Sequence, residues 1–161
     1  MIQALDKKNK ILWCGNGGSA ADAQHMSAEL MGGLRSHDRS PVASIALTTD
    51  TSFITAWAND TDYDSIFSRQ IEGIGNSGDV LIAISTSGNS INVIKAIKTS
   101  VSKNMKVIIL TGADGGAMAG QGDVCIRIPS NDTQRIQEGH MLAEHILCEI
   151  VEDVLLKKIE L

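Results

Sequence analysis

Five short stretches of the chain are continuously apolar, and the longer stretches between them repeat apolar residues at helical spacing. The apolar runs cover 11–14, 42–47, 80–84, 106–110 and 124–128. Each has strand length, and a run without polar alternation is what a parallel sheet buried on both faces requires. Helical patterns are predicted at about 19–31, 51–58, 63–73, 89–102 and 114–119, with a long final one over 132–158. Such alternation predicts an α/β three-layer sandwich: a five-stranded parallel sheet flanked by helices and joined by right-handed crossovers, flavodoxin-like or Rossmann-like. The 161 residues suit a single domain, 1–161, and no linker or low-complexity tract interrupts them. Because the first predicted strand starts within the first dozen residues, a covering or dimerising helix ahead of it is expected to be missing.

Two of the runs end in the same way. Ile11-Leu12-Trp13-Cys14 leads into Gly15-Asn16-Gly17-Gly18-Ser19, and Val80-Leu81-Ile82-Ala83-Ile84 leads into Ser85-Thr86-Ser87-Gly88-Asn89-Ser90. In both, a strand delivers small residues to a helix N-terminus, where free N–H groups and the positive end of the helix dipole favour an anion. Ligands of such sheets bind at the carboxyl ends of the strands, where both loops fall. The second loop carries four hydroxyls, on Ser85, Thr86, Ser87 and Ser90. One hydroxyl would suffice for a helix cap; four suit a phosphate monoester.

Gly15, Gly17 and Ala20 also occupy the positions of a dinucleotide fingerprint. That motif expects an acidic residue closing the second strand about twenty residues on, and this chain offers Arg35-Ser36-His37-Asp38-Arg39-Ser40 before the strand instead. No nucleotide cofactor is expected. His25 and Glu29 are four apart, so they share one face of the first predicted helix, which the adjoining loop aims toward the same mouth of the sheet. Beside a phosphate pocket they suit acid/base work or zinc, which accepts both donor types. In the last helix, Gln137, His140, Glu144 and His145 lie near an apolar stripe of Met141, Leu142, Ile146, Leu147, Ile150 and Val151, which is expected to pack on the sheet. Gln137 and His145 are eight residues apart, about 12 Å of regular helix rise. Either the helix begins irregularly after Gln137 or the two residues serve sites in different subunits.

Charge and composition narrow the partners. A net charge of −5 and 3% aromatic residues argue against a nucleic-acid surface. Cys14, Cys125 and Cys148 are widely spaced within apolar stretches and read as reduced core thiols, which places the chain in the cytoplasm. No run is long enough to span a membrane, and Lys7, Lys8 and Lys10 interrupt what would be a signal's apolar core.

The runs Cys14 to His25, Ile84 to Ser90, Leu110-Thr111-Gly112 followed by Asp114-Gly115-Gly116, and Arg135-Ile136-Gln137-Glu138 closely resemble the phosphoheptose isomerases of the sugar isomerase (SIS) domain superfamily. The resemblance extends through Ala46 to Ser52 and Ile66 to Gln70, and so covers nearly the whole chain. It implies conversion of sedoheptulose 7-phosphate to D-glycero-D-manno-heptose 7-phosphate through a cis-enediol, the first step toward nucleotide-activated heptose for bacterial lipopolysaccharide or capsule. Carried over by position, Glu29 would be the base and His145 its acid/base partner. Ser19, Ser85, Thr86, Ser87 and Ser90 would hold the phosphate, with Asn16, Gly17, Gly18, Asp60 and Gln137 completing the substrate site. One zinc ion would be held by His25, Glu29, Gln137 and His145, and the chain would assemble as a homotetramer with sites between subunits.

The chain departs from the family at Gly33, where an arginine is usual and for which Arg35 is the candidate replacement, and in lacking the family's N-terminal helical segment. The alternatives are a non-catalytic SIS protein of the replication-initiator-associated type, or an isomerase or etherase for another phosphosugar. Retention of Glu29 and His145 argues against the first, and the His25/Glu29 and Gln137/His145 pattern against the second.

Overall fold

All five apolar runs form strands, but burial on both faces is complete only for the two at 11–14 and 80–84, while those at 44–46 and 124–127 keep exposed residues. In a computed structural model, which describes residues 1–156, β1 (Ile11–Cys14), β2 (Ser44–Ala46), β3 (Val80–Ile84), β4 (Lys106–Thr111) and β5 (Val124–Arg127) form one parallel sheet in the order β2-β1-β3-β4-β5. Ile11 pairs with Ser44 on one side and Val80 on the other, and Val80 pairs in turn with Lys106. The chain therefore builds outward in opposite directions from β1 and β3, and the crevice between their carboxyl ends is the topological switch point.

Alternate strand residues feed two cores, as the two-residue period of a strand requires. Leu12, Cys14, Leu81 and Ala83 face a layer made by α3 (Thr51–Asp60), α4 (Ile66–Ile74) and α5 (Ile91–Ser102), including Phe67, Ile71 and Ile97. Ile11, Trp13, Val80, Ile82 and Ile84 face α1 (Ile2–Asp6), α2 (Gly18–Gly32) and α6 (Thr133–Leu155), through Ala23, Met26, Leu30, Cys148 and Val151. Trp13 is fully buried, and its indole N–H donates to Ser44 Oγ at 2.9 Å.

Four expectations need correction. A five-residue helix, α1, does precede β1 and places Ala4 in the second core; the sequence pattern was too short to declare it. The helix expected over 114–119 is only a 3-10 turn at Gly116–Met118, because Gly115 and Gly116 take φ of +76° and +54°, outside helical space. The final helix is regular from Thr133, with Asp132 Oδ1 accepting from the N–H of Gln134 at 3.0 Å, so it does not begin irregularly after Gln137. Its apolar stripe packs on the sheet only in part: Val151 and Met141 join the second core, whereas Leu142, Ile146 and Ile150 are exposed and His140, Glu144 and Glu152 are buried in their place beside Cys148. The predicted helix residues beyond 156 lie outside the described part of the chain.

Candidate active site

The first loop is built to let other groups approach. Gly17 turns at φ +57° to open α2, and a Cβ on Gly18 would lie 2.2 Å from Gln137 Nε2. That absence of a side chain lets the first turn of α2 meet α6. Asn16 and Asn92 exchange amide hydrogen bonds in both directions at 2.8 Å, and Tyr63 Oη donates to Asn16 Oδ1 at 3.0 Å. The reciprocal pair fastens the loop after β1 to the first turn of α5, across the switch point.

The second loop forms a hydroxyl cradle. Ser85 Oγ lies 3.0 Å from Ser90 Oγ and 3.5 Å from Ser87 Oγ. Ser90 stands at the N-cap of α5, yet its side chain makes no capping bond, so the hydroxyl is not spent on the helix. Gly17 at the N-cap of α2 supplies no side-chain cap either. Of the first N–H groups, those of Ser19 and Ala20 donate to the Asn16 and Gly17 carbonyls and that of Val93 to Asn92 Oδ1 at 2.9 Å, which leaves Gly18, Ile91 and Asn92 as the backbone donors for a phosphate at the crevice. Gly88 (φ +65°) and Gly116 press against each other's loops: a Cβ on Gly88 would lie 2.1 Å from the Gly115 carbonyl oxygen, and one on Gly116 would lie 2.4 Å from that of Ser87. In front lies a cavity of about 280 Å³ lined by Thr86, Ser87, Asp114, Ser130, Asn131 and Thr133.

The acid/base groups occupy the outer face of α2 and α6. His25 Nε2 is 3.3 Å from Glu29 Oε1, and the His25 and His145 rings meet edge to face with centroids 5.0 Å apart. His145 Nδ1 is 2.9 Å from the Met141 carbonyl oxygen, which fixes that nitrogen as the N–H and leaves Nε2 free to accept a proton or ligate a metal. These nitrogen and oxygen donors are of the types zinc takes. Among the described residues, however, no three His, Cys, Asp or Glu side chains converge closely enough to hold an ion. Gln137 stands apart, its amide 3.4 Å from Asp22 Oδ2 at the start of α2. His25 and Glu29 lie about 10 and 16 Å of helix rise beyond Gly18, so their face runs away from the sheet's mouth rather than toward it.

The structure therefore groups the expected residues into two sets. Asn16, Gly17, Gly18, Ser19, Ser85, Thr86, Ser87 and Ser90 surround the crevice with Gln137 at its edge, and His25, Glu29 and His145 form a separate cluster. Asp60 is brought to neither: it ends α3 exposed, its carboxylate accepting from Asn59 Nδ2 at 2.7 Å. Arg35 does not fill the role of a site arginine, since its guanidinium pairs with Glu149 at 2.8 Å on the surface. Asn92 and Asp22 were not anticipated. Their only sequence signal is a polar residue within the first turns of a helix, which capping explains equally well.

Under this cluster α6 buries polar groups. Glu144 is wholly inaccessible with both oxygens unpartnered; burial, reinforced by the Asp22 charge, pushes its carboxyl up to about 8 and keeps it neutral near pH 7. His140 is equally buried, and desolvation pushes its imidazole down, against a smaller opposing effect of the Thr111 backbone. Cys14 and Cys148 are free, and burial pushes both thiols up, so neither is poised as a nucleophile. No helix among the described residues is long and apolar enough to cross a membrane.

Known proteins resemble the chain in sequence and in fold. The SIS domain family matches residues 1–112. A phosphoheptose isomerase from Shewanella sp. (strain ANA-3) is 58% identical over 158 residues, covering 96% of this chain and 80% of that protein. The structure of a phosphoheptose isomerase from Neisseria gonorrhoeae superposes with a TM-score of 0.88 at 48% identity, over 95% of this chain and 81% of that one. One from Francisella tularensis gives 0.90 at 40% identity, over 94% and 80%. With the parallel sheet, the hydroxyl cradle and the Glu29 and His145 pair in place, the chain belongs to the phosphoheptose isomerases of the SIS domain family.

Proposed function

We infer that the protein is an aldose–ketose isomerase that converts sedoheptulose 7-phosphate to D-glycero-D-manno-heptose 7-phosphate, the entry step to activated heptose for bacterial surface glycans. The observation that carries this reading is the presence, in a chain of this family, of both Glu29 on α2 and His145 on α6 together with the hydroxyl cradle at the mouth of the sheet. A non-catalytic SIS protein has no use for that pair.

The chemistry follows from the groups present. The cradle holds the 7-phosphate, remote from the reacting carbons, and so supplies positioning energy. Glu29 takes a proton from C1 of the ketose while His145 gives one to the C2 oxygen, producing the enediol. His145 then takes the proton from the C1 oxygen and Glu29, partly exposed and exchanging its bound proton with solvent while the enediol persists, delivers a proton to C2, so that neither group changes overall. Stabilising the developing enediolate oxygen is the other requirement. When bound by His25, Glu29, Gln137 and His145, a zinc ion would polarise the oxygens being exchanged. The test is to follow aldose formation from sedoheptulose 7-phosphate after exhaustive chelation and after zinc is restored. Loss and recovery of turnover are expected; turnover indifferent to chelation removes the metal from this reading.

A homotetramer completes the reading. The regular course of α6 holds Gln137 and His145 about 12 Å apart, too far for one ion to take both from one chain. The exposed Leu142, Ile146 and Ile150 on α6 lie on the same layer as the acid/base cluster, an apolar face suited to a second copy. Ile146→Asp is expected to lower the molar mass found by sedimentation and to cut kcat/KM at least about tenfold, by analogy with buried charge at interface cores. An unchanged mass would take α6 out of the interface. The free buried thiols support a reducing, cytoplasmic setting.

A further inference from the structure

We propose that Arg39 and Glu152 are positioning residues for Glu29, acting through the backbone at the end of α2; this rests on Glu29 being the base. Glu29 lies in the last turn of α2, where helices fray because their final carbonyls lack partners. Here its carbonyl oxygen has two: the N–H of Gly33 at 2.9 Å and Arg39 Nη2 at 2.7 Å. The same guanidinium donates through Nε to Glu152 Oε2 at 2.8 Å and through Nη1 to the Ser40 carbonyl at 3.0 Å. Both side chains of the ion pair are only 2% exposed.

Glu152, near the end of α6, is in turn enclosed by the loop that follows α2. Its carboxylate accepts from three successive backbone N–H groups, of Leu34 at 2.9 Å, Arg35 at 2.9 Å and Ser36 at 3.1 Å. Burial alone would raise its pKa, but the Arg39 bond and these three N–H groups prevail and hold it at about 2, so the carboxylate stays charged across the working pH range. The turn that delivers the N–H groups starts at Gly33 with φ +125°, where a Cβ would lie 2.3 Å from the Ser36 carbonyl oxygen. The tight turn thus accounts for glycine at this position. The Arg39 charge also sits at the negative end of the α2 dipole. Together these contacts lock the turn of helix from which the Glu29 side chain projects toward His25. A base displaced by about 1 Å can lose on the order of 10²-fold in rate, so the lock bears on catalysis as well as stability.

Arg39→Lys separates the two roles. A single ammonium keeps a cation opposite Glu152 but cannot span both that carboxylate and the Glu29 carbonyl as the planar fork does. The expected result is a folded enzyme of wild-type assembly whose kcat falls at least about tenfold, with KM for sedoheptulose 7-phosphate within about threefold. The isotope effect from deuterium at C1 should rise, because proton abstraction becomes slower. Glu152→Gln, which keeps size and one acceptor oxygen, should shift the same quantities in the same direction. In the wild type, the Gly33 amide should exchange with solvent as slowly as amides in the middle of α2. Wild-type kcat and isotope effect in either folded variant, or a Gly33 amide that exchanges like a frayed end, overturns the proposal. Glu29→Gln run in parallel distinguishes the premises: if that variant still turns over, the assignment of the base has failed rather than the positioning.

Discussion

Glu29→Gln is expected to abolish measurable turnover, lowering kcat by about 10³-fold or more, within the range that a positioned general base contributes. The side chain is about one-fifth exposed and 3.3 Å from His25 Nε2, so the neutral amide fits the same space and keeps a hydrogen bond to the imidazole. Thermal unfolding should therefore change little, and the loss should fall on kcat rather than KM, because the phosphate cradle lies at the mouth of the sheet and does not touch Glu29. Near-normal turnover would remove Glu29 as the base.

Gly88→Ala is the second large effect, and it should act on the other half of the site. The position has φ +65°, which costs an L-residue roughly 1–2 kcal/mol, and the new methyl group would meet the Gly115 carbonyl oxygen 2.1 Å away. That contact is backbone on both sides, so one loop must move. Either movement disturbs Ser87 and the hydrogen bonds that tie the cradle to its support, from Met118 N to the Gly88 carbonyl at 3.0 Å and from Ala117 N to Asn89 Oδ1 at 2.9 Å. We expect kcat/KM to fall by about 10²-fold, mostly through KM, as for other misplaced binding groups. Gly73→Ala is the control, since a Cβ there meets nothing within 4 Å in α4 and should be neutral or slightly stabilising. An unchanged KM in Gly88→Ala, measured with folded protein, would show that the cradle is not where the phosphate binds.

What could be read from the chain follows from the range of the forces involved. Burial of a parallel strand is written locally, as in Val80 to Ile84, where every residue is inside. Phosphate loops are equally local, because the turn and the helix start are made by neighbouring residues. The outward face of α6 was misread for a reason that is not local. Leu142 and Ile146 are more apolar than Glu144 and Glu152, yet the latter two are buried. Glu152 is inside because Arg39 and the loop after α2 come to it from more than a hundred residues away, whereas Glu144 has no such partner and is held neutral by its burial. A hydrophobic period records every surface that leaves water, including faces kept for another subunit, and it cannot tell these from the fold's own core. The likeness between the two glycine and serine loops was legible; that an Asn16–Asn92 amide pair joins them was not.

The split between cradle and acid/base cluster also changes how the two halves should be probed. Variants at the mouth of the sheet should report on phosphate affinity, whereas variants along α2 and α6 should report on proton transfer. Arg39 belongs to the second group although it touches no substrate, since its hydrogen bond ends on the Glu29 carbonyl.

The central claim is proton transfer between C1 and C2 of a seven-carbon ketose phosphate, and NMR of the reaction run in D₂O tests it most directly. The purified 161-residue chain supplied with sedoheptulose 7-phosphate is expected to yield D-glycero-D-manno-heptose 7-phosphate carrying solvent deuterium at C2. Folded, zinc-supplied protein that forms no aldose, or aldose that acquires no solvent label at C2, would contradict it.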